Sequence, residues 1–204
     1  LGVEFASVRE HWQSTSKPVW ENWRLLAPLS EVKAQLALEP QVYLTIINTE
    51  KDCVIGGDAQ ACQRVIRALS RYTVLPLQHD IAVHSPVVQP FADRWRALHT
   101  RTVTPQPNIR FYSNYLRGAY DVSSERVADA LTGQALQTVD FPLIIQRAWD
   151  DGVRIFIEHG PRSALTKSIT DILKDKPHVA LAWDEPGADL THICRVALQL
   201  WSIG

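Results

Sequence analysis

The chain has 204 residues, a formal net charge of −1, 46% hydrophobic residues and three cysteines, Cys53, Cys62 and Cys194, with no CxxC pair. That length buries a real core, as one domain or as one with a smaller inserted lobe, and the balanced charge excludes the basic footprint of a nucleic-acid or anionic-membrane binder. The cysteine pattern offers no metal site and fits a reducing, cytoplasmic compartment.

No apolar run reaches the roughly 18–20 residues that span a bilayer, and no signal segment opens the chain. Methionine is absent throughout, so Leu1 is expected to lie inside a longer protein.

Residues 1–23 read as helical and aromatic-rich, with Trp12, Trp20 and Trp23 around a polar break at Ser14–Pro18. Arg24–Pro28 reads as a short strand, and Ser30 then caps a helix through Leu38 with Glu31 in its first turn. Val42–Thr49 is a β-branched strand, and Cys53–Gly57 a second one after a tight Glu-Lys-Asp turn. Ala59–Arg71 is an amphipathic helix with Val65, Ile66 and Leu69 on one face, and Tyr72–Leu77 closes the set as a strand. This βαββαβ order is the ferredoxin-like arrangement.

Ile81, Ala82 and Val83 then lead as a strand into His84, and Ser85-Pro86 opens a helix running to about His99. A serine hydroxyl can cap free amides, and proline suits the first helical turn. A histidine at such a junction has a fixed backbone and an exposed ring, which is how a fold presents a general base. The bland alternative is a helix-entry histidine with no chemistry.

Further strands are expected at Ile109–Tyr112, Val153–Glu158 and Val179–Trp183, the second apolar enough for a covered parallel sheet. Helices are expected at about Ser124–Leu131, Pro142–Asp150, Arg162–Leu173 and Asp189–Trp201.

The ferredoxin-like lobe ending in AVHSP, followed by FYSN, GQALQTVDFP and VRIFIEHGPRSALT, resembles the acyltransferase domains of fatty acid and polyketide synthases. The VRxxW element at Val8–Trp12 and the tail PHVALAWDEPG bring it nearest to those of polyunsaturated fatty acid synthases and related glycolipid synthases. The likeness covers essentially all of this chain but only the back half to two-thirds of the family's domain.

It implies an α/β fold: an incomplete hydrolase-like parallel-sheet body with a ferredoxin-like small subdomain. Residues 1–24 would be a helical lead-in belonging to the large subdomain, 25–79 the small subdomain and 80–204 the C-terminal part of the large one. With the first strands of its sheet outside this chain, one edge is expected bare, and the apolar residues of VRIFIE partly exposed.

The resemblance also implies roles. His84 falls on the family's catalytic histidine, a general base acting on a serine nucleophile. Gln134 falls on a glutamine whose backbone carbonyl fixes that imidazole, and a ring nitrogen of His84 is expected about 3 Å from it. Asn114 falls on a polar residue of the pocket wall, with a turn role as its alternative. Val83 ends the triplet in which the family's acyl choice is often read, and Ile81-Ala82-Val83 matches neither the malonyl-type nor the methylmalonyl-type pattern. Arg9 is the best candidate for the carboxylate-binding arginine, because a planar guanidinium matches a carboxylate bidentately; the alternative is a solvated helix arginine.

The family's nucleophile stands in a GHSxG elbow, and no serine of this chain sits in GxSxG. The glutamine of the family's N-terminal oxyanion loop is missing too. The expectation is therefore part of an acyltransferase that moves an acyl group, malonyl above others, from coenzyme A to an acyl carrier protein. Residues 1–204 would be inactive by themselves. No cofactor is permanently bound: acyl-CoA is substrate, and phosphopantetheine is carried by the partner carrier protein.

The expected partners are that carrier protein and other domains of a multidomain synthase, including the missing N-terminal half of this one. A degenerate acyltransferase kept as a docking domain is the alternative.

Other chemistries are weaker. His79, Asp80 and His84 could be drawn as a metal cluster, but strand alternation separates neighbours. Glu158-His159 could be an acid/base pair, but the resemblance puts both in a structural turn. RNA binding by the small lobe would need stacking aromatics on its central strands, and Tyr43 is the only one there.

Overall fold

Short β-branched and aromatic segments build the sheet on which residues 19–144 are organised. In the computed structural model, which describes residues 2–14 and 19–203, β1 (Trp20–Leu26), β2 (Val42–Thr49), β3 (Asp52–Asp58) and β4 (Thr73–Leu77) lie in the order β4-β1-β3-β2, every pairing antiparallel. Helices α2 (Leu29–Leu36) and α3 (Ala59–Ala68) supply Val32, Cys62 and Val65 to a core with Leu25, Ile47 and Ile55 of the strands. Asp58 fixes the start of α3 by accepting the Ala61 N–H at 2.9 Å, the bond expected of an N-cap carboxylate.

Two features of this sheet depart from expectation. The segment after residue 18 is not helical, since β1 begins at Trp20. Trp20 and Asn22 are buried while Glu21 and Trp23 between them are less so, a two-residue period that aromatic content hides. A fifth strand, β7 (Val139–Asp140), also joins β2 in parallel; two residues leave no periodic signal to read. The polar break's residues 15–18 lie outside the described residues.

Ahead of the sheet, α1 (Gly2–Ser14) feeds a second core. Val8 and Trp12 meet Trp20, Ala82, Val88, Trp95 and Ala135 there. Trp12 stands edge-on to Trp20, ring centroids 4.9 Å apart, and Trp20 stacks on Tyr43.

The expected helix from Pro86 is two pieces, a 3-10 turn at Pro86–Phe91 and α4 (Ala92–His99). Pro90 lacks the N–H a continuous α-helix would use, so the tighter turn takes over. Ser85 makes no side-chain cap bond. The Val88 N–H that a cap would hold goes to the Ser85 main-chain carbonyl at 3.3 Å, and the Ser85 hydroxyl is buried without a partner among the described residues.

Residues 81–83 are not a strand either. A short hairpin, β5 (Phe111–Ser113) with β6 (Gly118–Tyr120), precedes α5 (Ser124–Leu136), which runs five residues past its expected end.

The chain divides after Ile144 into two compact units, with α6 (Phe141–Asp150) running from the first into the second. In the second, β8 (Ile155–Glu158) and β9 (Val179–Ala182) pair in parallel, and α7 (Ala164–Ile172) packs on both. A final helix, α8 (Leu190–Ser202), starts at an Asp189 carboxylate that accepts the His192 N–H at 3.0 Å. Ile155 and Ile157 are 39% and 38% exposed while Phe156 between them is 9% exposed, so alternate apolar residues of VRIFIE are open and the others are covered. Among the described residues no helix is long and apolar enough to cross a membrane.

Candidate active site

His84 has φ +58. That is left-handed backbone, uncommon for a residue with a side chain though histidine is enriched among those that adopt it. Such a conformation costs about 1–3 kcal/mol and persists where the surroundings fix it.

The fixing comes from the end of α5. His84 Nδ1 lies 2.7 Å from the Gln134 carbonyl oxygen, and the Ser85 N–H donates to the Ala135 carbonyl at 3.3 Å. The last carbonyls of a helix have no intrahelical donors, and Gln137 turns extended after α5, so these acceptors are available to a neighbouring segment.

A carbonyl only accepts, which assigns the ring proton to Nδ1 and leaves the Nε2 lone pair as the basic site. No hydrogen bond among the described residues reaches Nε2.

Burial pushes the His84 pKa below its ordinary value, and the Gln134 carbonyl opposes that shift without overcoming it. The ring is therefore neutral at pH 7 and able to take a proton. The partial negative charge at the α5 C-terminus then favours the imidazolium that results.

The GQALQTVDFP segment supplies more than one carbonyl. The Thr138 hydroxyl donates to the Leu44 carbonyl at 2.7 Å, Val139 and Asp140 pair with β2, and the Asp140 N–H donates to Asn114 Oδ1 at 2.7 Å. A Cβ on Gly133 would strike the Tyr115 ring, so that glycine lets the turn after β5 lie directly on α5. The segment that holds His84 is thereby tied to the central sheet and to the hairpin turn.

Val83, at the end of the expected acyl-reading triplet, is half-buried against the second core. The carboxamide oxygen of Asn114 is engaged by main chain rather than presented to a pocket. Arg9 Nη1 pairs with Asp80 Oδ2 at 2.8 Å, the side chains 44% and 54% exposed. The Asp80 hydrogen bond raises the Arg9 pKa further, and Arg9 in turn lowers that of Asp80. Asn48 Nδ2 donates to Asp52 Oδ1 at 3.1 Å across the β2–β3 turn.

The possible metal cluster is dispersed: Asp80 turns to Arg9, His84 to Gln134 and His79 to Asn22. No group of three ligating side chains occurs among the described residues. Glu158, 8% exposed, accepts from the Leu165 N–H and from the Thr166 N–H and hydroxyl, at 2.7–3.2 Å. It caps α7 and has no need of His159.

An open cleft of about 370 Å³ lies along β1 and residues 76–80. His84 is not among its lining residues, so the candidate site is located by its chemistry and not by this cleft.

Asn22 reaches the segment that leads to His84 although the sequence pattern does not single it out. Its carboxamide bonds the main chain of the segment leading to His84. The available signal is a lone amide at an inward position of an aromatic and apolar strand.

A family model described as acyl transferase domain matches residues 20–190. The chain is 26% identical over 205 residues to a polyunsaturated fatty acid synthase polypeptide of Thraustochytrium sp., covering 93% of this chain and 10% of that protein. Among solved structures, the acyl transferase domain of SpnD, in complex with 2-(pent-4-yn-1-yl)malonyl, superposes with TM-score 0.80 at 22% identity, over 98% of this chain and 48% of that one. The malonyl CoA-acyl carrier protein transacylase from Clostridium perfringens gives 0.74 at 21% identity, over 99% and 64%. The chain thus spans about a tenth of the curated synthase and about half to 64% of these solved chains. Its α/β fold is theirs, and with the family model running from β1 to the first residue of α8, the chain belongs to the acyl transferase domain family.

Proposed function

We propose that this chain carries the general-base part of an acyltransferase site that moves an acyl group from coenzyme A to the phosphopantetheine thiol of an acyl carrier protein. The observation that carries the reading is the strained, neutral His84 with its Nδ1 proton on the Gln134 carbonyl and Nε2 open.

The serine of the reaction lies outside residues 1–204. His84 Nε2 takes its hydroxyl proton as the oxygen attacks the thioester carbon, and backbone amides hold the tetrahedral oxyanion. Collapse breaks the C–S bond, and His84 returns the proton to the departing thiolate of coenzyme A. The carrier thiol then gives its proton to His84 and attacks the acyl-serine ester, and the proton passes to the serine oxygen. Residues 1–204 alone perform neither half.

The ferredoxin-like small subdomain, expected over residues 25–79, is supported by the strand order β4-β1-β3-β2. A boundary between residues 24 and 25 cuts β1, which begins at Trp20, so in this reading the small subdomain starts at about Trp20. The residues before it and 80–204 belong to the large subdomain, in a cytoplasmic multidomain synthase. Malonyl is the proposed acyl group, read by Arg9, with Val83 at the pocket wall; the Asn114 oxygen, held by the Asp140 N–H, favours the turn role for that residue. An exposed ion pair is weak and screened by salt, so an incoming carboxylate can take the place of Asp80 on Arg9.

Mass spectrometry of the complete domain after exposure to malonyl-CoA tests this. A malonyl adduct is expected, lost in Arg9→Ala, with transfer in His84→Ala slowed about 10²–10⁴-fold. Near-normal turnover in a folded His84→Ala protein would overturn the base assignment. Labelling by a medium-chain acyl-CoA alone would overturn malonyl, and labelling by neither donor would favour the docking-domain reading.

A further inference from the structure

We infer that Asn22 is a positioning residue for His84: its side chain continues the sheet's ladder beyond the end of β4 and fixes the path of the chain into the base. Leu77, the last residue of β4, stands opposite Asn22 of β1. Beyond it, the Asn22 Nδ2 donates to the His79 carbonyl at 3.0 Å and to the Ile81 carbonyl at 3.2 Å, and lies 3.3 Å from His79 Nδ1.

On the other side of the carboxamide, Oδ1 accepts the Trp20 indole N–H at 3.0 Å. That bond sets which way the amide faces, because its oxygen is the end that meets a donor. Asn22 is 4% exposed and Trp20 2%.

Space for this amide is built into the next strand. Gly56 pairs with Asn22 across β1 and β3. A Cβ on it would lie 2.5 Å from Asn22 Oδ1 and 2.8 Å from the Trp20 ring. Gly56, Trp20 and Asn22 therefore form one unit with a single outward function, two donors aimed at main-chain carbonyls.

Ala82, buried at 2%, follows directly in the second core. His84 comes two residues later, in the left-handed conformation that delivers its ring to Gln134.

Losing the whole Asn22 side chain would leave the buried Trp20 indole N–H without its acceptor, a loss to folding that would mask any effect on the base. The informative change therefore keeps that oxygen and removes only the donors. What is lost is the fixed route into residue 84. The Arg9–Asp80 pair also ties this segment, but at the surface and subject to screening.

The inference rests on reading His84 as the base, but its test does not need catalysis. In the chain carrying 15N-labelled histidine, NMR reads the His84 tautomer and the solvent exchange of its Nδ1 proton. The wild type is expected to hold the Nδ1–H tautomer with a protected proton.

Asn22→Asp keeps size and the Trp20 bond but lacks the two donors. It is expected to mix tautomers and speed exchange about tenfold or more. Gly56→Ala, whose nearest contacts would be the Asn22 oxygen and the Trp20 ring, should do the same. Thr45→Ala removes a buried hydroxyl bond to the Val54 carbonyl in the same sheet; it should lower the melting temperature and leave the His84 ring signature intact.

An unchanged ring signature in folded Asn22→Asp and Gly56→Ala proteins would overturn the inference, as would an equal change in Thr45→Ala. A changed signature alongside normal transfer by His84→Ala would support the clamp while overturning the base assignment.

Discussion

At the scale of single residues, His84 combines two unfavourable conditions, a left-handed backbone and a half-buried ring whose pKa is pushed down by desolvation. Left-handed backbone also occurs at Asn108, Arg117, Arg162 and Ser163, so the backbone alone does not mark a site; at His84 it coincides with the ring held against the Gln134 carbonyl. The neutral ring has a consequence for stability.

The folded-state pKa of His84 is depressed below the unfolded value of about 6.5. As pH falls through about 6.5 the unfolded chain takes up a proton that the folded ring resists, so stability is lost until the folded pKa is reached. An asparagine at 84 tolerates the same backbone and does not titrate. Thermal melts of wild type and His84→Asn should therefore diverge below about pH 6.5, the wild type losing more. A difference that stays constant from neutral to mildly acid pH would contradict the lowered pKa of the half-buried ring.

At the scale of elements, the C-terminus of α5 is the part that holds His84 in place. Its unpaired carbonyls receive His84 and Ser85, and the residues after it are stitched to β2 and to Asn114. Gly133 sits one residue before the key carbonyl, beneath the Tyr115 ring. Gly133→Ala is expected to displace Tyr115 or α5, destabilising the protein by about 1–3 kcal/mol as other overpacked cores do. Tyr115→Ala in the same chain should recover part of that loss, and a double mutant no more stable than Gly133→Ala would show that the contact does not matter.

Elements are legible in the sequence where periodicity or turn chemistry is strong. The β2–β3 hairpin, α3 and the apolar β8 all stand within a few residues of where sequence pattern puts them. The failures have physical causes. Trp20–Trp23 alternates on a strand but reads as helix in the sequence, because its large rings look alike from either period. Ile81–Val83 is apolar like a strand, yet the Ile81 carbonyl is held by a side chain rather than by a neighbouring strand, and no local pattern encodes that partner.

At the scale of the molecule, two small units share the apolar content, and the cysteines report on the first. Cys53 and Cys62 lie in the core beneath the sheet, and burial pushes both thiols up to about 12. Cys194, on α8, is exposed. Thiolate is the reactive form, so a thiol reagent at about pH 8, near the ordinary thiol pKa, should modify Cys194 promptly in the native protein and the other two only on unfolding. Prompt labelling of all three would mean that the first core opens far more readily than its packing implies.

Residue order by itself determined the family resemblance, the βαββαβ succession, the identity of the candidate base and the absence of a GxSxG serine. Each of these is a property of local spacing, in which chain neighbours are also the physical neighbours that matter. Tertiary structure alone decided the left-handed backbone of His84, its neutral state, the engagement of Arg9 by Asp80 and the reach of Asn22 to residues 79 and 81. Those depend on groups 50 or more residues apart in the chain, brought to hydrogen-bond distance by the packing of α1, the sheet and α5. Hydrogen bonds and desolvation act over a few ångströms of space, and sequence separation carries no information about that distance until the core has formed.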